Sequence, residues 1–361
     1  MQISGPMQVG LAAVCQNPDR RISDFETYKN ELRLADLAEP LGFDSLWSVE
    51  HHFTDYTMVP DVIQFLTYMA GRTKKIQLGS MVVVLPWHDP MRVAEEVSML
   101  DAMSDGRVIL GIGRGAGLVE FEGFRVPMGE SRDRFVEAAE MVLTGLEKGY
   151  CEYNGKYYQQ PRKDIRPGPH KSFKGRTFAA AISPESVEIM ARLGIGILII
   201  PQKPWEAVAS ELQTYSEVFQ KMHGVPAPSP VAGGWVFCDK DASRAKDMAR
   251  KYIGAYWKSA MLHYNFGGEH FGKTKDYEFY AKMAEQLGKG GPEASTEFFL
   301  NLQVWGTPDQ CFEKVMDIRS RVGCHAFTGV FSYGGMPYDD SERSLRLFAS
   351  DVMPRLQNLK N

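Results

Sequence analysis

Eight times along this chain a short run of apolar, β-prone residues gives way to a longer stretch whose apolar positions recur at helical spacing. That rhythm limits the fold more than any other feature. Parallel strands can be joined only by crossovers long enough to hold a helix, and such crossovers cover both faces of the sheet. The clearest run is IQLGSMVVVLP (residues 76–86), almost continuously apolar, as a strand buried on both faces requires. The other seven lie at 7–14, 44–50, 107–115, 177–182, 195–200, 230–238 and 325–333. Helices are expected between them. One is capped by Asp24 and ended by Gly42, one spans 60–72 with Pro60 at its start, and others span 90–103, 131–149, 205–223 and 242–262. A further helix follows Ser183 and Pro184, another has Thr307 as cap and Pro308 as first residue, and the last covers 339–356. Residues 150–159 read as a hairpin around Asn154-Gly155. Eight alternations predict an α/β fold, a (β/α)8 TIM barrel with insertions, in one domain over 1–361. A doubly wound open sheet is the alternative. Residues 263–293 break the pattern with glycine-rich ends and a charged middle, and are expected to form a mobile lid insertion.

Composition removes several classes of partner. The net charge of −4 carries no basic surplus, so neither nucleic acid nor a membrane surface is an expected partner. No apolar stretch is long enough to span a bilayer, and the start of the chain has no secretory pattern. The five cysteines are scattered and lack metal-ligand spacing, which fits a cytoplasmic protein with buried, reduced thiols.

A barrel of this kind builds its active site at the C-terminal ends of its strands. The second run ends in Glu50, His51 and His52, the third in Pro86, Trp87, His88 and Asp89, and the fourth in Gly113, Arg114 and Gly115. The fifth leads to Ser183 and Ser186. A serine-capped helix start offers free N–H groups to a phosphate, and Arg114 beside flexible glycines could reach the same anion. Equally, Ser183 could simply cap and Arg114 could pair with a carboxylate. Neighbouring His51 and His52 project to opposite faces of an extended segment. One can serve as a base at the mouth while the other pairs with Glu50 or Asp55. No third ligand at suitable spacing supports zinc, so no metal is expected. The alternating glycines 111, 113, 115 and 117 are not a dinucleotide fingerprint. Trp47, Phe53, Tyr56, Trp87 and Trp235 either line an apolar mouth or pack in the core.

The runs GFDSLWSVEHHFTDY and LGSMVVVLPWHDPMRVAEEVSMLDAMSDGRVILGIGRG, with MGESRDRF, AISPES, GTPDQC and LFASDVMPRL downstream, closely resemble the bacterial luciferase-like flavin monooxygenases. The resemblance spans essentially the whole chain. It implies a cytoplasmic flavoprotein that takes reduced FMN (FMNH2) from a separate flavin reductase. It further implies that O2 reacts to a flavin C4a-hydroperoxide, which oxidises a small apolar organic substrate such as an aldehyde, ketone or alkane. By the same resemblance His51 supports the oxygen chemistry, and Arg114, Arg132, Ser183 and Ser186 contact the flavin phosphate. Met81, Val82 and Ala116 complete the cofactor site, with a cis peptide between Met81 and Val82 beneath the ring. The family also implies a homodimer through residues 90–103, where Arg92, Glu95 and Glu96 could otherwise be a solvated face. Two departures stand out. Gly113 replaces a reactive cysteine of the light-emitting α subunits, and Ile182 replaces an acid before the phosphate serine, so light emission is not expected. A deazaflavin-dependent hydride-transfer oxidoreductase and a non-catalytic flavin-binding relative are the alternatives.

Overall fold

The computed structural model describes residues 5–180 and 183–360. Its centre is a ring of parallel strands: β1 (Gln8–Ala13), β2 (Ser45–Ser48), β3 (Gln77–Ser80), β4 (Val108–Gly113), β5 (Thr177–Ala180), β6 (Gly196–Ile199), β7 (Val231–Cys238) and β8 (Ala326–Val330). Each strand pairs with its successor, and β8 returns to β1 with Val9 opposite Phe327, so the sheet closes without an edge. This is the (β/α)8 barrel that the alternation calls for.

Strand β4 shows why its residues suit this place. Val108, Leu110 and Ile112 pack outward with Val97, Leu100 and Val142 of the surrounding helices. Ile109 packs inward with Trp47, Phe178 and Leu198. Every second side chain faces the other way, and both directions are buried. Each large apolar side chain removed from water contributes about 1.5–3 kcal/mol, so neither face tolerates polar residues freely. Trp47 fills the barrel interior, and a Cβ on Gly79 would fall 2.3 Å from its ring.

Several boundaries differ from expectation. The expected strand at 76–86 stops at Ser80, whose hydroxyl donates to the Gly111 carbonyl and accepts from the Gly111 amide, both at 2.9 Å. The Met81–Val82 peptide is cis, and a two-residue strand, Val83–Val84, then resumes pairing with β4. Hydropathy could not show this break, because the residues on either side of it are buried alike. The first helix is capped by Ser23, not Asp24, in a reciprocal box with Glu26, and it ends at Ala35 before a short turn Ala38–Leu41. The helix expected from Pro60 starts at Val62 and runs to Arg72, with Asp61 as its cap accepting the Gln64 amide. The last helix divides into Tyr338–Asp351 and Met353–Gln357, where Pro354 has no N–H with which to continue the ladder. Of the fifth predicted strand, residues 181 and 182 lie outside the described residues.

The hairpin forms as an antiparallel pair, Tyr150–Asn154 with Gln159–Asp164. A short parallel strand, Val304–Gly306, that the sequence did not disclose extends β7 outward. Residues 263–293 contain the helices His270–Lys273 and Glu278–Lys289 and the start of Gly291–Asn301. Among the described residues, no helix is long and apolar enough to cross a membrane.

Candidate active site

At the C-terminal ends of the strands the loops surround a cavity that is open to solvent. His51, Met81, Val82, Arg114, Ala116, Arg132, Ser183 and Ser186 all line it. The fold thus gathers into one wall residues that are far apart in sequence, at the end of the barrel where such sites are built.

One part of the wall is a cluster of hydrogen-bond donors. Arg114 leaves β4 and donates from Nη1 to the Asp276 carbonyl at 2.9 Å, with its guanidinium over the Tyr277 ring at 4.1 Å. Arg132, in the first turn of the helix Ser131–Lys148, donates from Nη1 to the Asp276 carboxylate at 3.1 Å. Its Nη2 lies 3.9 Å from Glu185, and its Nε is buried without a hydrogen-bond partner. Ser183 caps the helix Pro184–Leu193, accepting the Ser186 amide at 3.3 Å and meeting the Ser186 hydroxyl at 2.8 Å. Two guanidinium groups, two hydroxyls and a helix N-terminus have the chemistry a phosphate needs, and the orphaned Nε is a donor still available to it. Ile182 lies outside the described residues.

The wall beside this set is shaped by a glycine. A Cβ on Gly113 would fall 2.3 Å from Val82 Cγ2, so Val82 occupies the space a side chain there would need. The cis Met81–Val82 peptide is held at its start by the Met81 amide, which donates to the Ser48 carbonyl at 2.7 Å.

His51 sits in a polar cluster. Its Nδ1 is 3.0 Å from Glu120 Oε1, which also accepts the His52 amide at 2.9 Å. His263 Nε2 lies 3.4 Å from the same oxygen, and His263 Nδ1 meets the Thr54 hydroxyl at 2.7 Å. His51 Nε2 is then on the cavity side, 3.4 Å from the Tyr264 hydroxyl. Burial by itself would raise the Glu120 carboxyl. The imidazoles of His51 and His263 outweigh that effect and hold it down at about 2. Burial lowers His263, against the pull of Glu120. His52 points away from the cavity and pairs with Glu50 at 3.1 Å. Glu50 also takes His88 at 2.6 Å and the Val84 amide at 2.8 Å. Burial pushes the Glu50 carboxyl up, but His52 and His88 together bring it below its usual range.

His51, Glu120 and His263 are metal-ligating residue types whose ligand atoms lie within 4.8 Å of one another, a grouping that sequence spacing did not disclose. Glu120 Oε1 is committed to the His52 amide and the His51 imidazole, while Glu120 Oε2 and His263 Nε2 have no hydrogen-bond partner among the described residues. Glu120, His263, Tyr264 and Asp276 escaped the sequence reading because no local motif joins them; His51 and Glu120 are 69 positions apart. The one available signal was a carboxylate inside the apolar stretch LVEFEGF just beyond the glycine-rich loop. Of the aromatics named from sequence, Trp87 lines the cavity. Trp47, Tyr56 and Trp235 belong to the buried cluster inside the barrel, and Phe53 is exposed at the surface. The cavity's other aromatic lining is Phe135, Tyr264, Phe266 and Tyr280.

Comparison with known proteins gives consistent matches. The family model described as luciferase-like monooxygenase matches residues 7–325. The chain is 26% identical over 341 residues to the alkanal monooxygenase alpha chain of Photorhabdus luminescens, covering 93% of this chain and 94% of that one. A solved monooxygenase from Streptomyces bottropensis shares the fold with a TM-score of 0.78 at 25% identity, over 97% of this chain and 99% of that chain. The oxygenating constituent of 3,6-diketocamphane monooxygenase from Pseudomonas putida, solved in complex with FMN, has a TM-score of 0.75 at 20% identity, over 97% and 99%.

Proposed function

The chain belongs to the luciferase-like monooxygenase family of flavin-dependent enzymes, and from that premise we propose that it is the oxygenase component of a two-component system. It takes FMNH2 from a separate reductase and uses O2 to oxidise a small apolar organic molecule of the aldehyde, ketone or alkane class. The observation that carries this reading is the sharing of one cavity by the donor cluster and His51. Arg114, Arg132, Ser183 and Ser186 would hold the flavin phosphate, and Met81, Val82 and Ala116 would flank the ring. Bound there, reduced flavin would supply the electrons that activate O2. The chain's part is to orient the cofactor and keep water away. Tyr264, Phe266 and Tyr280 give the cavity an apolar wall, and residues 263–293 act as a lid over it. His51 Nε2 holds or releases a proton beside the reacting edge.

Anaerobic addition of FMNH2, followed by oxygen, tests the reading. A transient near-ultraviolet absorbance band is expected; rapid flavin oxidation without it would favour a deazaflavin enzyme or a non-catalytic flavin binder. Replacing Arg114 and Ser183 by alanine should weaken FMNH2 binding at least tenfold, by the loss of charge-assisted hydrogen bonds worth roughly 1.5–3 kcal/mol each. Unchanged affinity would remove the phosphate assignment.

The protein also forms a homodimer in this reading. The charges on the helix Pro90–Met103 are matched within the chain: Arg92 pairs with Glu96 at 3.2 Å and Glu95 accepts the Arg166 amide. It is the exposed Met99 and Met103 on that helix that support a contact. Sedimentation as a monomer at micromolar concentration would exclude it.

A further inference from the structure

Glu120 lies in the first turn of a short helix, Leu118–Phe124, that follows directly on the glycine-rich loop. Its side chain is fully buried in the cavity wall. A buried carboxylate accepts hydrogen bonds only, so each nitrogen that bonds to it must carry a proton. Oε1 has three nitrogens around it: the His52 amide at 2.9 Å, His51 Nδ1 at 3.0 Å and, more distantly, His263 Nε2 at 3.4 Å. Its other oxygen has no hydrogen-bond partner among the described residues. The Gly117 backbone makes room for it, since a Cβ there would fall 2.4 Å from Glu120 Oε2 and 3.1 Å from His263 Nε2.

His263 cannot turn away. The Thr54 hydroxyl engages its Nδ1 at 2.7 Å, and the Tyr56 ring stacks on it at 4.6 Å with an interplanar angle of 21°. Tyr56 is in turn hydrogen-bonded to Tyr256. The titratable groups facing His51 are therefore Glu120, His263, Tyr264 and Tyr56. Burial raises both tyrosines well above their usual range, so they stay neutral, and among the described residues Glu120 is the one anion in contact with the imidazole.

We infer that Glu120 is a positioning residue that locks His51 as its Nδ1–H tautomer and so presents an unprotonated Nε2 to the cavity, with His263 packed beside the carboxylate. The inference rests on the reading of His51 as the group at the flavin's reactive edge. A proton that Nε2 takes from a cavity donor makes an imidazolium paired with Glu120, and the same proton leaves by the same atom. Glu120 stays ionised throughout, as in hydrolytic triads where a buried carboxylate sets the tautomer of a histidine without taking its proton.

Nitrogen-15 NMR of histidine-labelled protein without flavin, read on the neutral form of the ring and with the His51→Asn variant for assignment, reads the tautomer directly. In the wild type, His51 should be protonated at Nδ1 and bare at Nε2. Glu120→Leu should convert it to the Nε2–H form or a mixture, and Glu120→Gln, which keeps an acceptor oxygen, should retain the native form. The near-ultraviolet band of Glu120→Leu should decay about tenfold faster than that of the wild type. An Nε2–H tautomer in the wild type, or an unchanged tautomer in Glu120→Leu, overturns the inference. The wild-type spectrum alone decides the matter if Glu120→Leu does not fold. If the wild type shows no near-ultraviolet band, the proposed oxygenation fails, while the tautomer still tests the role of Glu120.

Discussion

Arg132 is a cavity side chain with one buried donor left over. Two of its nitrogens reach Asp276, while Nε stays buried and unmatched. An unmatched buried donor costs roughly 1–3 kcal/mol, which a phosphate oxygen would recover on binding. Arg132→Ala is accordingly expected to weaken FMN binding about 10- to 100-fold, measured by fluorescence titration, with little change in thermal stability. Arg132→Lys should not restore it, because an ammonium lacks the planar fork. Val82 makes the complementary point for the apolar wall. It fills the space beside Gly113, so the residue that looked like a missing cysteine is one the local packing requires to be small.

Among the elements, the segment of residues 263–293 joins the two halves of the site. Asp276, with a positive φ of 69°, offers its carbonyl to Arg114 and its carboxylate to Arg132. Tyr277 donates to the Gly115 carbonyl at 2.8 Å, and His263, at the segment's other end, reaches Glu120. An internal carboxylate thus sits on the donors assigned to the flavin phosphate. Phosphate and Asp276 then compete, so Asp276→Ala should tighten FMN binding severalfold and loosen the segment, raising its amide hydrogen exchange. Unchanged affinity would show that Asp276 and the phosphate do not share donors. Deleting the segment should increase hydrogen peroxide release per flavin oxidised, since water would reach the reacting edge.

At the scale of the whole molecule, the barrel holds only if its first and last units meet. Glu31 lies at that seam, fully buried, accepting the Ser332 hydroxyl at 2.5 Å. The Met7 amide reaches the Leu356 carbonyl at 3.0 Å and Arg319 reaches the Gly5 carbonyl at 2.7 Å. Burial raises the Glu31 carboxyl from its ordinary 4.5 to about 7, with Ser332 and the Cys15 amide holding it partly down. Between these values the folded chain binds a proton that the unfolded chain has lost. The associated stability is complete below about pH 4.5 and disappears as pH rises through about 7, a change on the order of 3 kcal/mol. The melting temperature should fall between pH 5 and pH 8 through this group, and Glu31→Gln should remove that part of the fall. A pH dependence identical in the variant would rule Glu31 out as its source.

The alternation of buried runs and amphipathic helices specified a parallel α/β fold by itself, with the barrel as its first reading, because hydrophobic burial on two faces and the reach of a crossover are local properties of the chain; the pairing of β8 with β1 that closes the ring is tertiary. For the same reason the strand order and the end of the barrel that carries the site were legible, as were capped helices such as Pro308–Val322 with Thr307 at its start. Position along the chain marked Arg114 at a strand end and Ser183 at a helix start, whereas the choice of His51 over His52 came from the family resemblance. What only the tertiary structure decided are the contacts between distant segments: Glu120 against His51, His263 against Glu120, Asp276 on two arginines, and the break after Ser80. A hydrogen bond has a direction and a length of about 3 Å. Whether two remote polar groups satisfy it depends on how the whole ring packs, which hydropathy and spacing along the chain do not encode.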